Sequence, residues 1–463
     1  MSDRRLVRFA ATSARVVAGT AVATAAVVGT VAGIAAPWPA YTAEPVRVQA
    51  TPAPSDTVLA CDGPLLALGR SADAANSLSA AAAQQVVSGP ADASASTSSL
   101  TGATDGDDGA AEALRAAPRD GTQTPLAAAG SVTAVSDDLT GFAASACRVP
   151  LAESWLVGGA STTGSNDLVV LANPGTVPAT VQLSVYGAQG VSNPPGGSNL
   201  VVPPGERRVV PLAGLLLGEE SPVVRVVASG APVHASLQTS LTRVLLPGGS
   251  DQVAPLAQAD ERLVIPGVQV VTTGEGQAGT VLRLLAPGAD ATATVTMVPL
   301  DAAAAAPEPR SVPLTAGLPT SLDLSGVAAG AYTLDISATA PVVGGAWSTT
   351  GFGEGADFAW YAPAPAFSSP GVIAVAPGVG AQVVIAGAPS DATVTLTPVD
   401  GGDALSIPVA AGASAAAPVA AGVYRLEADV PVRAAVSYAA AGALASYPLW
   451  PADAAASAVT VLP

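Results

Sequence analysis

Short stretches in which apolar and polar residues alternate recur along most of the chain. Residues 291–297 (ATATVTM) and 392–396 (ATVTL) place apolar side chains at every second position. Alternation over five or more residues is typical of a half-buried β-strand. Gly and Pro residues separate these stretches, which favours short strands and turns over long helices. The pattern therefore predicts an all-β fold beyond the amino terminus.

Two sequence themes occur three times in the same order. One is a strand, a Pro/Gly turn and an alternating strand, starting at Val169, Leu284 and Val384. The other is an alternating strand, a Pro-Val pair and a second short strand, at residues 221–240, 330–349 and 422–439. About six or seven short strands in roughly 90–115 residues match an immunoglobulin-like β-sandwich. We expect three tandem sandwich units. A six-bladed β-propeller is the alternative, because a blade needs about 40–45 residues.

The amino terminus has the pattern of a membrane anchor or an export signal. An uncharged run from Val16 to Ala36 follows the basic residues Arg4, Arg5, Arg8 and Arg15. The run is long enough for a spanning helix, which needs about 20 apolar residues. Basic residues stay on the cytoplasmic side, so the rest of the chain is expected outside. We expect a single-pass protein of the cell membrane with an extracellular body. Cleavage and secretion are the alternative.

The two cysteines are expected to pair, because two Cys in an exported chain most simply form one disulfide. A bridge between Cys61 and Cys147 would fasten the segment around Cys61 to the first folded unit. Residues 71–140 are rich in Ser, Ala, Thr, Gly and Asp and hold no aromatic residue, which predicts a flexible insertion. The expected organisation is a cytoplasmic basic stub (1–15), an anchor or signal (16–36), a linker (37–56), a disulfide-tethered strand segment (57–70), the insertion (71–140) and β units at 141–256, 257–350 and 351–463.

Composition excludes several classes of function. All 18 basic residues are Arg, so neither a Walker phosphate loop nor a lysine nucleophile is possible. The single His and two Cys argue against a zinc site, and we expect no metal and no cofactor. The formal net charge of −17 argues against binding to nucleic acid, which requires basic residues to neutralise phosphates.

Catalytic constellations are sparse in this sequence. A Ser-His-Asp triad could use only His234, and we expect that residue to be structural or exposed. The adjacent acids Glu219-Glu220 and Asp260-Glu261 are candidates for the paired carboxylates of a glycoside hydrolase, which lie about 5–9.5 Å apart. Both pairs are expected to be ordinary exposed acids beside turns. We therefore expect no catalytic residue.

Aromatic residues concentrate at the junction between the second and third units. Six of them lie within residues 347–367: Trp347, Phe352, Phe358, Trp360, Tyr361 and Phe367. Aromatic side chains carry large contact areas at interfaces and can stack on sugar rings. Strand alternation places Phe358 and Trp360 on one side and Tyr361 on the other. We expect Trp360 or Tyr361 to be exposed and to bind a partner, with Trp347 buried in the core.

The chain from about Leu59 onward resembles an actinobacterial family of secreted or membrane-anchored proteins, DUF5719. The resemblance rests on Cys61-Asp-Gly-Pro, Cys147, SWLVGGAS from Ser154, and LVVLANPGTVPATVQLSVYGAQG from Leu168. This family has no established activity, so the resemblance implies an envelope location and no catalytic residues. We expect a non-catalytic envelope protein whose β modules bind a glycan or protein partner or act as a spacer. A polysaccharide hydrolase that uses paired carboxylates is the alternative.

Overall fold

The computed structural model describes residues 3–35, 48–50, 54–69, 77–90, 95–104, 109–271, 279–367, 370–450 and 459–461. After one amino-terminal α-helix, strands are the main secondary structure, with short 3-10 helices at Pro195–Gly197 and Leu212–Gly214. Two compact units are present, one formed by Met1–Pro52 with Ser457–Pro463 and the other by Ala53–Ala456. The all-β prediction with a single amino-terminal helix is confirmed.

The first unit contains helix α1, Asp3–Ala35. Its segment Thr12–Ala35 has a mean hydropathy of 1.8, and its length and composition suffice to cross a membrane. The hydroxyls of Thr20 and Thr24 donate hydrogen bonds to carbonyl groups four residues earlier, which satisfies these polar groups within the helix. In the same unit, strand β1 (Val48–Ala50) pairs antiparallel with β34 (Val459–Val461).

The second unit begins with eight strands in three small sheets, ordered β2-β7-β6, β3-β4 and β5-β8-β9. Their bounds are β2 Thr57–Ala60, β3 Leu65–Leu68, β4 Leu78–Ala82, β5 Gln85–Pro90, β6 Ser96–Leu100, β7 Ala111–Ala116, β8 Leu126–Val135 and β9 Thr140–Ala146. We call these strands the amino-terminal segment.

The prediction that residues 71–140 form a flexible insertion is wrong, because most of its described residues lie in these strands. Small side chains make this possible. Ala127, Ala129 and Ala144 are buried in the same core as residues of the third sandwich described below. Alanine contributes little apolar area per residue. Its small side chain, however, allows two sheets to approach closely, so this segment packs tightly despite its few large apolar residues. The composition of the segment was therefore a poor guide to its order.

Three two-sheet units follow. The first comprises β10 Glu153–Val157, β11 Leu168–Asn173, β12 Ala179–Gly187, β13 Gly190–Ser192, β14 Leu200–Val202, β15 Glu206–Pro211, β16 Val223–Ser229, β17 His234–Arg243 and β18 Leu246–Val253. The second comprises β19 Asp260–Val270, β20 Thr280–Leu285, β21 Ala291–Pro299, β22 Arg310–Leu314, β23 Thr320–Asp323, β24 Gly330–Thr349 and β25 Phe358–Tyr361. The third comprises β26 Gly371–Val375, β27 Ala381–Ala386, β28 Ala392–Pro398, β29 Leu405–Val409, β30 Ser414–Pro418, β31 Gly422–Ala428, β32 Arg433–Ala440 and β33 Ala443–Pro448.

All three units share one strand order, apart from the short additional strand β13. In the third unit the sheets run β26-β31-β28-β29 and β30-β27-β32-β33. The first unit has the matching orders β10-β16-β12-β14 and β15-β11-β17-β18. The long strand β24 of the second unit takes the places of two strands, since its first half pairs with β19 and β21 and its second half with β20 and β25. Each pair of sheets encloses an apolar core, so we call the units the first, second and third sandwich.

Two pairs of neighbouring strands match an immunoglobulin sandwich, in which the second strand pairs with the fifth and the third with the sixth. In the third sandwich these pairs are β27 with β30 and β28 with β31. The first and seventh strands are placed differently. In the third sandwich the first strand, β26, lies beside β31, and the seventh strand, β32, lies beside β27.

Each sandwich also begins later than the corresponding expected unit at 141–256, 257–350 or 351–463, and the second ends later, at Tyr361 instead of residue 350. Residues 141–146 belong to β9 in the amino-terminal segment, and β25 completes the second sandwich. The repeated sequence themes end before the last strand of each sandwich, so the themes could not locate these bounds.

The last strand of each sandwich (β18, β25 or β33) meets β9 at a common centre. Strands β9, β18, β25 and β33 contact one another in a closed cycle. The carboxylate of Asp357, just before β25, accepts hydrogen bonds from the backbone N–H groups of Phe142 (3.0 Å), Leu444 (3.1 Å) and Ser250 (3.4 Å). At Gly249 (φ +112°) a Cβ atom would lie 2.5 Å from Oδ1 of Asp357, so only glycine fits there. We call this meeting point the hub.

The disulfide joins Cys61 to Cys147, the predicted pair. It links the connection between β2 and β3 to the residue that follows β9.

Replacing both cysteines with Ser is expected to lower the free energy of unfolding by about 2–5 kcal/mol, the usual cost of removing a native disulfide. Denaturant unfolding of the wild type and the double variant measures this difference. An unchanged midpoint would mean that the bridge contributes no stability.

Candidate functional site

A cleft of about 330 Å³ lies between the first and second sandwiches. Its buried members include Asp167 from the first sandwich and Arg283 and Trp360 from the second. Trp347 is half-buried and Glu220 is exposed. Hydroxyl groups add hydrogen-bonding capacity, supplied by Ser165, Ser221, Thr239, Ser240 and Ser321. We call this site the aromatic cleft. Its mixture of rings and polar groups is typical of small-ligand sites.

Strand pairing brings the aromatic rings of the cleft together. Trp347 on β24 lies directly opposite Trp360 on β25, and directly opposed residues share a sheet face. Phe358 lies two positions before Trp360 and therefore faces the same side. The rings of Trp347 and Phe358 are 6.1 Å apart, centroid to centroid. These three rings pack against the core of the first sandwich, while Tyr361 enters the core of the second.

Arg283 fixes one side of the cleft by crossing from the second sandwich to the first. Its Nη1 donates to the carbonyl oxygens of Gly159 (3.0 Å) and Pro222 (2.8 Å), and its Nη2 donates to that of Glu220 (3.0 Å). The guanidinium carbon lies 4.8 Å from the ring centroid of Trp360, within the range of a cation–π contact. Burial lowers the pKa of Arg283 to about 9, opposed by the charges of Asp167 and Glu219. The side chain is thus a buried cation that ties the two sandwiches together.

Asp167 is the buried acid of the cleft. Its Oδ2 accepts from the N–H of Ala160 at 2.6 Å and its Oδ1 from that of Ser240 at 3.1 Å. Burial raises the pKa of Asp167 to about 7, against these two hydrogen bonds and the charge of Arg283. Because both oxygens bind backbone donors, the carboxylate orders the loop at 158–166 that borders the cleft.

The structure places the predicted binding residues differently from the expectation. Trp360 is 6% exposed and Tyr361 is 1% exposed, so the prediction that one of them is exposed is wrong. Trp347, expected in the core, is half-buried and lines the cleft. The predicted alternation of Phe358 and Trp360 against Tyr361 is confirmed. The exposure was misjudged because the sequence does not show that the first sandwich covers β25.

The remaining catalytic candidates lie in separate parts of the chain's fold: His234 is on β17, Glu219 and Glu220 precede β16, and Asp260 and Glu261 are at the start of β19. His234 Nε2 lies 2.6 Å from Asp62 Oδ1, and both side chains are buried. Burial alone would raise the pKa of Asp62, but the hydrogen bond with His234 turns the shift downward. Glu219 accepts the N–H groups of Ala188 and Ser221. Asp260 and Glu261 are exposed at the start of β19.

In the described part of the chain, no three His, Cys, Asp or Glu side chains form a group that could hold a metal ion. The sequence Asp-Gly-Asp-Asp-Gly at 105–109 superficially resembles a calcium-binding loop, but four of its five residues lie outside the described residues.

Buried acids predict an unusual pH dependence of stability. The pKa values of Asp167 and Asp357 are raised to about 7 by burial, and that of Asp251 is raised well above its ordinary value for the same reason. Between the ordinary value of 3.8 and these raised values, the folded chain binds more protons than the unfolded chain, so stability falls as pH rises. We expect a higher Tm at pH 5 than at pH 8. Asp167→Asn should flatten the difference, and a Tm that rises with pH would contradict the assignment.

Fold and cleft together define a class: a repeated β-sandwich protein with an aromatic, hydroxyl-lined cleft between two of its modules. The sequence profile of DUF5719, described as a family of unknown function, matches residues 100–420, more than half of the chain. The chain belongs to this family. None of the curated proteins matches it.

Proposed function

We propose that this protein is a non-catalytic cell-envelope protein that binds a glycan in the aromatic cleft. The observation that carries the proposal is the half-buried ring of Trp347 beside hydroxyl groups and the buried pair Arg283 and Asp167. A pyranose ring offers one apolar face to an aromatic side chain and hydroxyls to surrounding polar groups. A volume of about 330 Å³ corresponds to one or two sugar residues at the lower end of known ligand pockets.

The proposed location rests on α1 and the disulfide. An apolar helix such as Thr12–Ala35 serves as an anchor or as an export signal, and disulfides persist in oxidising compartments outside the cytoplasm. We favour a retained single-pass anchor, with Arg4, Arg5 and Arg8 on the cytoplasmic side. The body would then face envelope polysaccharides directly.

An oligosaccharide array that covers neutral, amino and acidic sugars tests the binding. The full chain should bind at least one class, and Trp347→Ala should weaken binding to it at least tenfold because the stacking surface is lost. Since Trp347 is half-buried, we expect a smaller loss of stability than the roughly 3–5 kcal/mol of a fully buried Trp→Ala change.

Phe352→Ala is the matched control. Phe352 belongs to the same aromatic stretch, but its ring lies under Arg243, 4.8 Å from the guanidinium carbon, and it does not line the cleft. This variant should bind like the wild type. If no sugar binds, or if both variants lose binding equally, the assignment of the cleft is wrong. Tyr361→Ala is unsuitable as a test because this fully buried ring belongs to the core.

A hydrolase is the second candidate, favoured by one observation. The cleft contains two acids, Asp167 with its raised pKa and the exposed Glu220. Glycosidases use two carboxyl groups, one of which has a raised pKa. The engagement of both Asp167 oxygens by backbone donors supports the non-catalytic role. Release of reducing ends from a bound oligosaccharide, lost in Glu220→Gln, would establish hydrolysis and overturn our proposal.

A further inference from the structure

A second cavity lies between the amino-terminal segment and the third sandwich, with a volume of about 550 Å³. This is within the range of about 300–1,000 Å³ that small-ligand pockets occupy. Its walls come from β2, β8 and β26, with Val58, Leu126 and Ile373 among the apolar side chains. None of its lining residues belongs to the aromatic cleft. We call it the apolar cavity.

A buried cation lies in the wall of this cavity. Arg148 is 4% exposed, and its Nη2 donates to the carbonyl oxygen of Pro448 at 2.8 Å. Its Nη1 has no hydrogen-bond partner among the described residues. Within the same residues, no carboxylate forms an ion pair with it. A buried charge without a direct counterion is costly, and an anion beside it would offset that cost.

A second unused donor lies beside the first. The guanidinium carbon of Arg148 is 4.6 Å from the ring centroid of Trp450. The indole Nε1 of Trp450 is also without a hydrogen-bond partner in the described chain. Burial lowers the pKa of Arg148 to about 10, opposed by the charge of Asp62, which is not in direct contact with it, so the group remains cationic at neutral pH. Two donors without partners and one positive charge thus lie in the wall of the cavity, beside its apolar side chains.

The acid that lines the cavity does not compete for this charge. Asp56 forms an ion pair with Arg115, with Oδ2 2.9 Å from Nη1, at a partly exposed position. The cavity therefore combines apolar walls with one net positive group. A neutral hydrocarbon would leave Nη1 of Arg148 without a partner. A sugar would find few free polar groups, because the other polar side chains of the lining already form hydrogen bonds within the chain: Ser55, Asp56, Thr57, Gln123 and Thr124.

We propose that the apolar cavity binds an anionic amphiphile, a molecule with one carboxylate or phosphate head group and a hydrocarbon chain. The head group accepts hydrogen bonds from Arg148 and Trp450 after a small side-chain adjustment, and the chain lies against Val58, Leu126 and Ile373. Fatty acids and lipid phosphates both have this chemistry. The proposal is independent of the glycan site, because the two sites share no lining residue.

Calorimetric titration of the full chain in lipid nanodiscs tests the proposal, with the same titration into empty nanodiscs subtracted. The probes are decanoate, decyl phosphate and decanol, which share one chain length and differ in the head group. We expect at least one anion to bind at least tenfold more tightly than decanol. The tighter of the two anions then distinguishes a carboxylate ligand from a phosphate ligand.

Three variants locate the binding. Ala146→Phe should weaken binding by placing a ring among the lining residues, since Ala146 is a partly buried member of the lining. Trp450→Phe keeps a ring beneath Arg148 and removes one donor, so it should weaken anion binding about tenfold. Arg148→Met should reduce decanoate affinity to that of decanol. If Arg148→Met does not fold, the comparison of head groups and the other two variants still decide. Equal affinity for decanol and the anions, or full binding by Ala146→Phe, would overturn the proposal.

Discussion

Replacing Asp357 with Ala is expected to lower the free energy of unfolding by about 3–9 kcal/mol, or to prevent folding. Its carboxylate accepts the backbone N–H groups of Phe142, Ser250 and Leu444, which come from three different sheets. Each buried donor left without an acceptor costs about 1–3 kcal/mol. Whole domains are stable by only about 5–15 kcal/mol, so the hub should come apart. Denaturant unfolding followed by far-UV circular dichroism measures the loss.

Asp391→Ala is the matched control for this change. The Asp391 carboxylate also accepts a backbone N–H, that of Ala411 at 2.9 Å, but it is exposed. Water can replace the lost acceptor there, and we expect a loss of about 1 kcal/mol or less. If Asp357→Ala destabilises the protein no more than Asp391→Ala does, Asp357 does not hold β9, β18, β25 and β33 together at the hub.

The second large effect is expected from Arg283→Ala. This change leaves the carbonyl oxygens of Gly159, Pro222 and Glu220 without their donor and removes the cation above Trp360. Removing one partner from a buried charged network costs about 3–5 kcal/mol. The first and second sandwiches should separate more readily, and the aromatic cleft between them should lose its shape.

Unfolding monitored by tryptophan fluorescence measures this effect, because Trp360 lies directly at the junction. Arg310→Ala serves as the control, since Arg310 donates to the carbonyl oxygen of Asp323 at 2.8 Å at an exposed position within the second sandwich. We expect Arg310→Ala to be nearly neutral. Equal losses from the two variants would show that Arg283 does not connect the sandwiches.

The repeated strands could be predicted from sequence because their signals are local. Alternation at 291–297 and 392–396 and two of the three predicted Pro-Val breaks identify strands without knowledge of distant contacts. The breaks at Pro232 and Pro431 separate two strands each, whereas β24 continues through Pro341. The order of strands within each sheet depends on pairing between distant segments, which one sequence does not encode in any local pattern.

The amino-terminal segment shows where composition misleads. Its Ala- and Ser-rich strands have little apolar area, yet side chains of the first sandwich bind its backbone directly. Gln238 donates to the carbonyl oxygen of Leu66 (2.7 Å) and accepts its N–H (2.8 Å). Arg207 donates to the carbonyl oxygens of Asp62 (2.6 Å) and Gly109 (2.7 Å). The polar residues that hold this segment lie far along the chain, so the segment alone gives no sign of order.

The aromatic cleft was only half predictable for the same reason. The concentration of rings at 347–367 is visible in the sequence, and alternation correctly divides Trp360 from Tyr361. The contribution of the first sandwich is not visible, because Asp167 and the loop at 158–166 lie nearly 200 residues upstream. Contact with that sandwich buries Trp360 and leaves Trp347 as the ring at the cleft.

Hydrogen–deuterium exchange of the full chain, with and without a bound oligosaccharide, tests the glycan site most directly. Binding in the aromatic cleft should slow exchange in the loop at 158–166, in residues 219–221 and in the strand ends around Trp347 and Phe358. Exchange on the far edges of the third sandwich, at β29, should be unchanged. Protection confined to these cleft segments is the predicted result. Unchanged exchange there, with protection elsewhere on the body, would contradict a glycan site between the first and second sandwiches.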